Sequence, residues 1–278
     1  MLKKIATIIK LFRIQATLAM NSFIFFPLLV KTQDFWFSFI NTLPFILMIS
    51  GEIALNDCCD IEKDRINKPQ RPLVSEEANI PKVLIIVGIV LLISIILAII
   101  FYNSCIIRLI VFLLVLLILS LYNLPLKGIS IFKSIITAIC TVLCLFFVNT
   151  YLKTSNQYYF FLFSAFLFII ARELFLDVRD INGDKKNNYR TIAVIFGKKK
   201  TDKLAIIILF CSNIFNYIYV FSFFSIINVL LFIIQVLLEI GIIILYLRSK
   251  DNKEQNKAMI LLWLPMLLML IILINSLM

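Results

Sequence analysis

Long apolar segments follow one another along almost the whole of this 278-residue chain. A helix that crosses a bilayer needs about 20 predominantly apolar residues. Segments of that kind lie near residues 14–31, 35–55, 83–102, 105–121, 131–152, 158–176, 203–222, 224–247 and 258–277. The sequence therefore predicts an all-α integral membrane protein, a bundle of about nine transmembrane helices in the lipid bilayer.

Composition supports this fold class. Hydrophobic residues make up 62% of the chain and the mean hydropathy is +1.03, whereas about half of a soluble domain is apolar. The weakest boundary is the one between the seventh and eighth segments, because no Gly or Pro occurs between Asn216 and Gln235. A count of eight helices therefore stays open.

The basic residues are distributed unevenly between the two sets of segment ends. The ends on the side opposite the N-terminus hold only Lys31, Arg108 and Lys153 of the 27 Lys and Arg residues. By the positive-inside rule, the N-terminus and the connections 56–82 and 177–203 are predicted to be cytoplasmic. The net charge of +11 then reflects membrane topology. Because the charges are dispersed and form no basic domain, the sequence predicts no nucleic-acid partner.

Histidine and cysteine usage excludes several kinds of chemistry. The chain has no His, and its six Cys show no paired metal-binding spacing. This argues against zinc, against haem ligation through His and against a His general base. We interpret the cysteines as small residues that fill helix packing.

One acidic spacing occurs twice, each time at the edge of an apolar segment. Its members are Asp57, Asp60 and Asp64, and then Asp177, Asp180 and Asp184. On a helix, offsets of three and seven residues place the carboxylates within an arc of roughly 60°. Clustered carboxylates require cations, and Mg²⁺ prefers a few carboxylates together with phosphate oxygens. The motifs therefore predict Mg²⁺ and a phosphorylated ligand.

The position of the two motifs suggests a coarse internal repeat. Four apolar segments separate them, so each motif follows a segment that runs in the same direction. This arrangement predicts two tandem four-helix units plus one further helix, with cytoplasmic motif-bearing loops. An alternative, polar loops that merely cap helices, does not account for two copies with the same spacing. A calcium loop fails as well, because Lys185 takes the position of the turn glycine and Thr191 that of the bidentate Glu.

The segments around the aspartates resemble a known family. Residues 56–72, Asn-Asp-Cys-Cys-Asp-Ile-Glu-Lys-Asp-Arg-Ile-Asn-Lys-Pro-Gln-Arg-Pro, are similar to the N-D-x-x-D-x-x-x-D-x-x-N-x-P-x-R-P signature of the UbiA superfamily of intramembrane prenyltransferases. Residues 172–191 resemble the second aspartate motif of that superfamily. The Ala-Arg-Glu at 171–173 is most similar to the digeranylgeranylglyceryl phosphate synthase branch. Tyr122 and Lys127 resemble a third Tyr…Lys element, although Phe132-Lys133 stands where relatives often have Gly-Asn.

This resemblance implies one transmembrane prenyltransferase domain over residues 1–278. The enzyme would use Mg²⁺ to transfer a prenyl group from an allylic isoprenyl diphosphate to a hydrophobic acceptor, with release of diphosphate. An isoprenoid glyceryl phosphate, an aromatic acid, a quinone precursor and a porphyrin-type ring all stay open as acceptors. Two other functions also stay open: a related terpene cyclase that needs no acceptor, and a non-enzymatic carrier.

The expected site residues fall into two groups. The metal ligands, direct or through water, are Asn56, Asp57, Asp60, Asp64, Asp177, Asp180 and Asp184. Charge-assisted or polar contacts to substrate are expected from Lys63, Arg65, Asn67, Arg71, Tyr122, Lys127, Arg172, Glu173, Arg179, Lys185 and Arg190. Two further carboxylates lie inside the apolar segments. Glu52, which precedes Asn56 by four residues, is either a pocket residue or a hydrogen-bonded structural group, whereas Glu239 is expected to pair with a neighbouring helix.

Overall fold

A computed structural model describes residues 7, 9–67, 70–75, 77–123, 132–154, 156–223, 225–249 and 252–278, with the backbone alone at 63, 67, 252 and 253. Within these ranges the chain is helical and contains no strand. The helices are α1 (Ile14–Thr32), α2 (Phe35–Cys59), α3 (Ile61–Asn67), α4 (Ile80–Tyr102), α5 (Ile106–Asn123), α6 (Lys133–Leu152), α7 (Tyr158–Lys186), α8 (Ile192–Phe196), α9 (Lys198–Ser222), α10 (Ile226–Arg248), α11 (Asn252–Leu261) and α12 (Trp263–Leu277).

The predicted number of spans is confirmed. Within the described ranges, nine helical segments are long and apolar enough to cross a membrane. The seventh and eighth are separate, because α9 ends at Ser222 and α10 begins at Ile226. The alternative of eight helices is therefore wrong.

The ninth span is interrupted. It runs over Glu254–Leu277 but consists of α11 and α12, with Leu262 between them. Pro265 has no N–H for the carbonyl four residues earlier, and its ring clashes with that carbonyl. The helix consequently breaks just before this proline.

The second motif lies on a helix and not in a loop, which corrects the prediction. Helix α7 continues ten residues beyond the expected end of its span and carries Asp177, Asp180 and Asp184. The polar extension stays helical since Val178 is buried, with Ile181 against it, in a cluster that includes Leu174 and Phe175. The first motif is divided between α2 and α3, which meet at Asp60.

The chain forms two compact units. The first comprises residues up to 130 together with 143–151 and 182–189. In this unit α2 packs against α1 and α4. The ring of Phe45 lies 4.7 Å from that of Phe147 and 5.2 Å from that of Phe112. These contacts pack the middle of α2 against α5 and α6.

The second unit comprises residues 131–142, 152–181 and 190–278. Here α10 packs against α9, α11 and α12. Phe175 of α7 contacts Tyr246 of α10 edge to face, with ring centroids 5.0 Å apart. Glu239 of α10 accepts a hydrogen bond from Asn213 of α9 at 2.7 Å, so its predicted pairing with a neighbouring helix is confirmed.

Candidate active site

Two arginines neutralise the first motif, within the first unit. Asp57 and Asp64 are buried, with 3% and 1% of their surface exposed. Arg71 donates from Nη1 to Asp57 Oδ1 at 2.9 Å and also pairs with Asp64. Arg13 pairs with Asp57 as well. Burying a carboxylate charge is costly unless an opposite charge or hydrogen bonds compensate it, and these two arginines provide the opposite charge.

Local packing brings both arginines to the motif. Leu11 and Phe12 are buried in the same cluster as Ala54 and Leu55 of α2, and they place Arg13 beside that helix. Arg13 adopts a left-handed backbone conformation with φ 42° and ψ 51°. Such a backbone costs a non-glycine residue about 1–2 kcal/mol. The ion pair with Asp57 offsets part of that cost.

A turn anchors Arg71. Its carbonyl accepts hydrogen bonds from the N–H groups of Val74 and Ser75, both at 2.9 Å. Leu73 is buried in the cluster formed by α2 and α4. Burial lowers the pKa of Arg71 to about 10, while the Asp57 carboxylate acts in the opposite direction. The guanidinium is therefore a cation at neutral pH.

Cations also neutralise the second motif, within the second unit. Lys133 Nζ lies 3.0 Å from Asp177 Oδ1 and 3.5 Å from Glu173 Oε2. Arg179 holds both oxygens of Asp180, at 2.7 and 2.9 Å. Asp177 and Asp180 are buried. Each motif thus has buried acids and side-chain cations in contact with them.

Glu173 connects Lys133 to a further cation. Arg172 donates from Nη1 to Glu173 Oε1 at 3.0 Å, and its guanidinium lies 5.1 Å from the ring centroid of Trp263. The indole face and the carboxylate together hold this arginine. Glu173 is therefore placed between two cations, beside Asp177.

Tyr189 lies beside one carboxylate from each motif. Residues 182–189 belong to the first unit, and the Tyr189 N–H donates to the Asp184 carbonyl at 2.9 Å. Burial raises the pKa of Tyr189, and the carboxylates of Asp60 and Asp184 raise it further. The phenol therefore stays protonated at neutral pH and is a neutral hydrogen-bond donor.

The donor chemistry of both motifs suits Mg²⁺. Among the described residues, no group of three Asp, Glu or Cys side chains is assembled closely enough to hold a metal ion. A closed protein cage is not what Mg²⁺ requires, because it is usually held by one or two carboxylates together with waters and substrate phosphates. Buried aspartates in contact with basic side chains fit this open kind of site.

Sequence comparison decides the family. Residues 17–270 match the UbiA prenyltransferase family. The chain belongs to this family. The enzyme class predicted from the motifs, an intramembrane prenyltransferase, is thereby confirmed.

Individual UbiA relatives agree in sequence and in fold. A digeranylgeranylglyceryl phosphate synthase of Methanosphaera stadtmanae is 31% identical over 216 residues, which is 77% of this chain and 77% of the relative. A solved structure of digeranylgeranylglyceryl phosphate synthase is similar with a TM-score of 0.73 at 23% identity, covering 100% of this chain and 99% of that one. A UbiA homologue from Archaeoglobus fulgidus, solved with GPP and Mg²⁺, has a TM-score of 0.67 at 15% identity. The similarity covers 96% of this chain and 99% of that one.

The structure brings some of the predicted substrate-binding residues to the motifs and leaves others apart. Arg71, Arg172, Glu173 and Arg179 lie in the ion pairs described above, and Asn56 donates to Asn123 at 2.9 Å. Three other predicted residues are exposed. Arg65 pairs with Glu62 at 3.1 Å, and 61% of its side chain is exposed. Lys185 and Arg190 are exposed as well. Tyr122 is half-buried. The side chains of Lys63 and Asn67 and the whole of Lys127 lie outside the described residues.

Four residues at the motifs were not predicted as site residues: Arg13, Asn123, Lys133 and Tyr189. In the sequence, Arg13 is one of the many basic residues on the N-terminal side of the membrane. One sequence feature pointed to Lys133: Phe132-Lys133 stands where relatives often have Gly-Asn. Asn123 and Tyr189 carry no spacing that distinguishes them from other polar residues at helix ends.

Proposed function

We propose that this UbiA protein is a Mg²⁺-dependent prenyltransferase that acts on an isoprenyl diphosphate and an isoprenoid glyceryl phosphate. The observation that supports diphosphate chemistry is the pairing of buried aspartates with basic side chains at both motifs. The glyceryl phosphate acceptor is supported by the 31% identical relative, which is a digeranylgeranylglyceryl phosphate synthase. The family match covers residues of both units, so we treat residues 1–278 as one catalytic domain.

The reaction separates charge. The allylic C–O bond breaks, and its electron pair leaves with the diphosphate. A hydroxyl oxygen of the acceptor bonds to the resulting carbocation, and the hydroxyl proton passes to the released diphosphate or to water. The carboxylates of both motifs, with Asn56, are the proposed ligands of Mg²⁺. Bound Mg²⁺ supplies positive charge to the oxygens on which negative charge accumulates.

The basic side chains at the motifs would change partners when substrate binds. In the structure Arg13 and Arg71 contact Asp57, and Lys133 contacts Asp177. With those carboxylates holding the metal, the guanidinium and ammonium groups of these residues would donate to phosphate oxygens. Charge-assisted contacts of this kind are about twice as strong as neutral ones. They orient the diphosphate and stabilise it as it leaves.

The acceptor can be tested directly by product analysis. We expect detergent-purified protein, supplied with geranylgeranyl diphosphate, Mg²⁺ and a panel of acceptors, to prenylate geranylgeranylglyceryl phosphate in preference to aromatic acids and quinone precursors. Mass spectrometry of the lipid extract and diphosphate release give the two readouts. Prenylation of an aromatic acceptor alone would contradict the glyceryl phosphate proposal. Diphosphate release with a cyclic hydrocarbon and no acceptor in the product would instead indicate a cyclase.

We also propose that the N-terminus and both motifs are cytoplasmic, on the basis of the Lys and Arg asymmetry. In a cysteine-free background, Ser75→Cys and Lys200→Cys are expected to resist a membrane-impermeant maleimide added to intact cells. Asn156→Cys, between α6 and α7, is expected to react. All three positions are exposed in the structure, so reactivity depends on the side of the membrane. The reverse labelling pattern would reject this orientation.

A further inference from the structure

A buried hydrogen-bond network joins α2 to α5 beside the first motif. Glu52 and Asn123 have 3% and 4% of their surface exposed. Ser120 donates its hydroxyl to Glu52 Oε1 at 2.5 Å, and Asn123 Nδ2 donates to Glu52 Oε2 at 2.7 Å. Asn56 Nδ2 in turn donates to Asn123 Oδ1 at 2.9 Å. The network therefore reaches Asn56, the residue that directly precedes Asp57.

The network allows one orientation of each carboxamide. The Asn123 amide group faces the Glu52 carboxylate and, at 3.2 Å, the Glu52 carbonyl. A backbone carbonyl is an acceptor only, so Asn123 must present its NH₂ to Glu52 and its oxygen to Asn56. Asn56 must then present its own NH₂ to Asn123. Its carboxamide oxygen is consequently turned away from Asn123.

Glu52 lies at a depth where a carboxylate is costly. It belongs to an apolar spanning helix, and in the described part of the chain no Lys or Arg forms an ion pair with it. Ionisable residues within membrane spans are expensive and are functional candidates by default. A role confined to joining α2 and α5 does not require a charge, because a neutral amide would serve.

We propose that Glu52 and Asn123 are positioning residues that hold the Asn56 carboxamide with its oxygen toward the metal site. The proposal rests on the proposed Mg²⁺-dependent function of the first motif. Asn56 lies one turn before Asp60, whose N–H donates to the Asn56 carbonyl at 2.9 Å. The fixed amide supplies a neutral oxygen ligand, direct or through water, next to carboxylate ligands on the same turn. Partners that orient metal ligands in this way are typically worth about 10- to 100-fold in metal affinity.

A metal-binding cycle tests this proposal without turnover. Mn²⁺, which serves as the probe, is titrated into detergent-purified protein at a fixed concentration of inorganic diphosphate, and free Mn²⁺ is measured by electron paramagnetic resonance. Asn56→Ala and Asn123→Ala are each expected to weaken binding by about 10- to 100-fold. Because Asn123 acts through Asn56, the double variant is expected to be no weaker than Asn56→Ala alone. Additive losses, or wild-type affinity in Asn123→Ala, would overturn the proposal.

A donor–acceptor exchange covers the case in which Asn123→Ala does not fold. Asn123→Asp sets two carboxylates against each other and is expected to lose affinity. Adding Glu52→Gln restores a donor at the side-chain contact and leaves an oxygen for Asn56, whereas the bond to the carbonyl of residue 52 stays lost. The pair is therefore expected to bind Mn²⁺ more tightly than Asn123→Asp alone. A pair that binds no more tightly than Asn123→Asp, with a wild-type size-exclusion profile, would contradict the positioning role.

Two controls separate the possible failures. Asn216→Ala removes a buried amide that donates to Gln235 in the second unit. It is expected to lower the melting temperature and leave Mn²⁺ affinity unchanged. If the wild type and Asp57→Asn bind Mn²⁺ equally, the metal site itself is wrong and the positioning role falls with it. If Asp57→Asn binds weakly while the Asn123 variants bind normally, only the positioning role is wrong.

Discussion

Replacing Asp57 or Asp180 by Asn is expected to lower the rate of prenyl transfer by about 100- to 1,000-fold, the usual cost of one preorganised electrostatic contact. Each change keeps the size and shape of the side chain and removes a negative ligand from a reaction limited by charge separation. It also disrupts the ion pairs of Arg71 or Arg179, which are proposed to contact diphosphate. Prenylated product and diphosphate release are to be measured on purified variants.

Both substitutions are expected to destabilise the fold, Asp57→Asn less than Asp180→Asn. Clustered aspartates would repel one another if they were alone, and their neutralisation would then stabilise the protein. In the structure the acids are paired, so each substitution leaves a basic side chain with one partner fewer. Breaking a buried pair is destabilising. Arg71 retains Asp64 in the Asp57→Asn variant, which limits the loss.

Asp202→Asn is a matched control for this experiment. Asp202 is also buried, at the start of α9, and it accepts a hydrogen bond from Tyr246 at 2.8 Å. An asparagine oxygen can accept the same bond, and neither residue belongs to a motif. The variant is expected to turn over at nearly the wild-type rate. Near-normal rates for Asp57→Asn and Asp180→Asn with matched size-exclusion profiles would contradict the two-motif mechanism.

Much of the fold could be predicted from the sequence because a bilayer fixes the length of its helices. The number of spans followed from that length and from apolar composition. Features at helix ends were harder to predict. Hydropathy falls after Leu176, but Val178 and Ile181 remain in a buried cluster, so α7 continues. Pro265 is visible in the sequence, yet only the structure shows the break at Leu262.

The acidic part of the candidate site was visible in sequence because both sets of carboxylates are local patterns. Their basic partners are not local. Arg13 and Asp57 are 44 residues apart, and so are Lys133 and Asp177. No periodicity relates residues at that separation on different helices. Arg65, by contrast, is close to the first motif in sequence, but three residues along a helix it meets Glu62 instead.

The ion pairs at the motifs determine how diphosphate and metal can bind. Diphosphate alone would draw Arg71 away from Asp57 and Asp64 and leave these buried carboxylates unneutralised. Metal alone would satisfy the carboxylates and leave the guanidinium without an anion. The same holds for Lys133 beside Asp177. Mg²⁺ and diphosphate together supply a partner for Arg71 and Lys133 and for the carboxylates that these two side chains contact.

Mg²⁺ and diphosphate are therefore expected to bind with strong mutual dependence. We expect Mg²⁺ to tighten the binding of inorganic diphosphate by about 100-fold, near the upper end of common coupling energies. Linkage requires diphosphate to tighten Mg²⁺ binding by the same factor. Calorimetry in both orders measures the two factors, after subtraction of the association of the ligands in solution. Arg71→Gln is expected to reduce both factors together, because it removes the cation that exchanges partners. Equal diphosphate affinity with and without Mg²⁺ would show that the aspartates do not bind diphosphate through metal, whatever the turnover of the Asp57 and Asp180 variants.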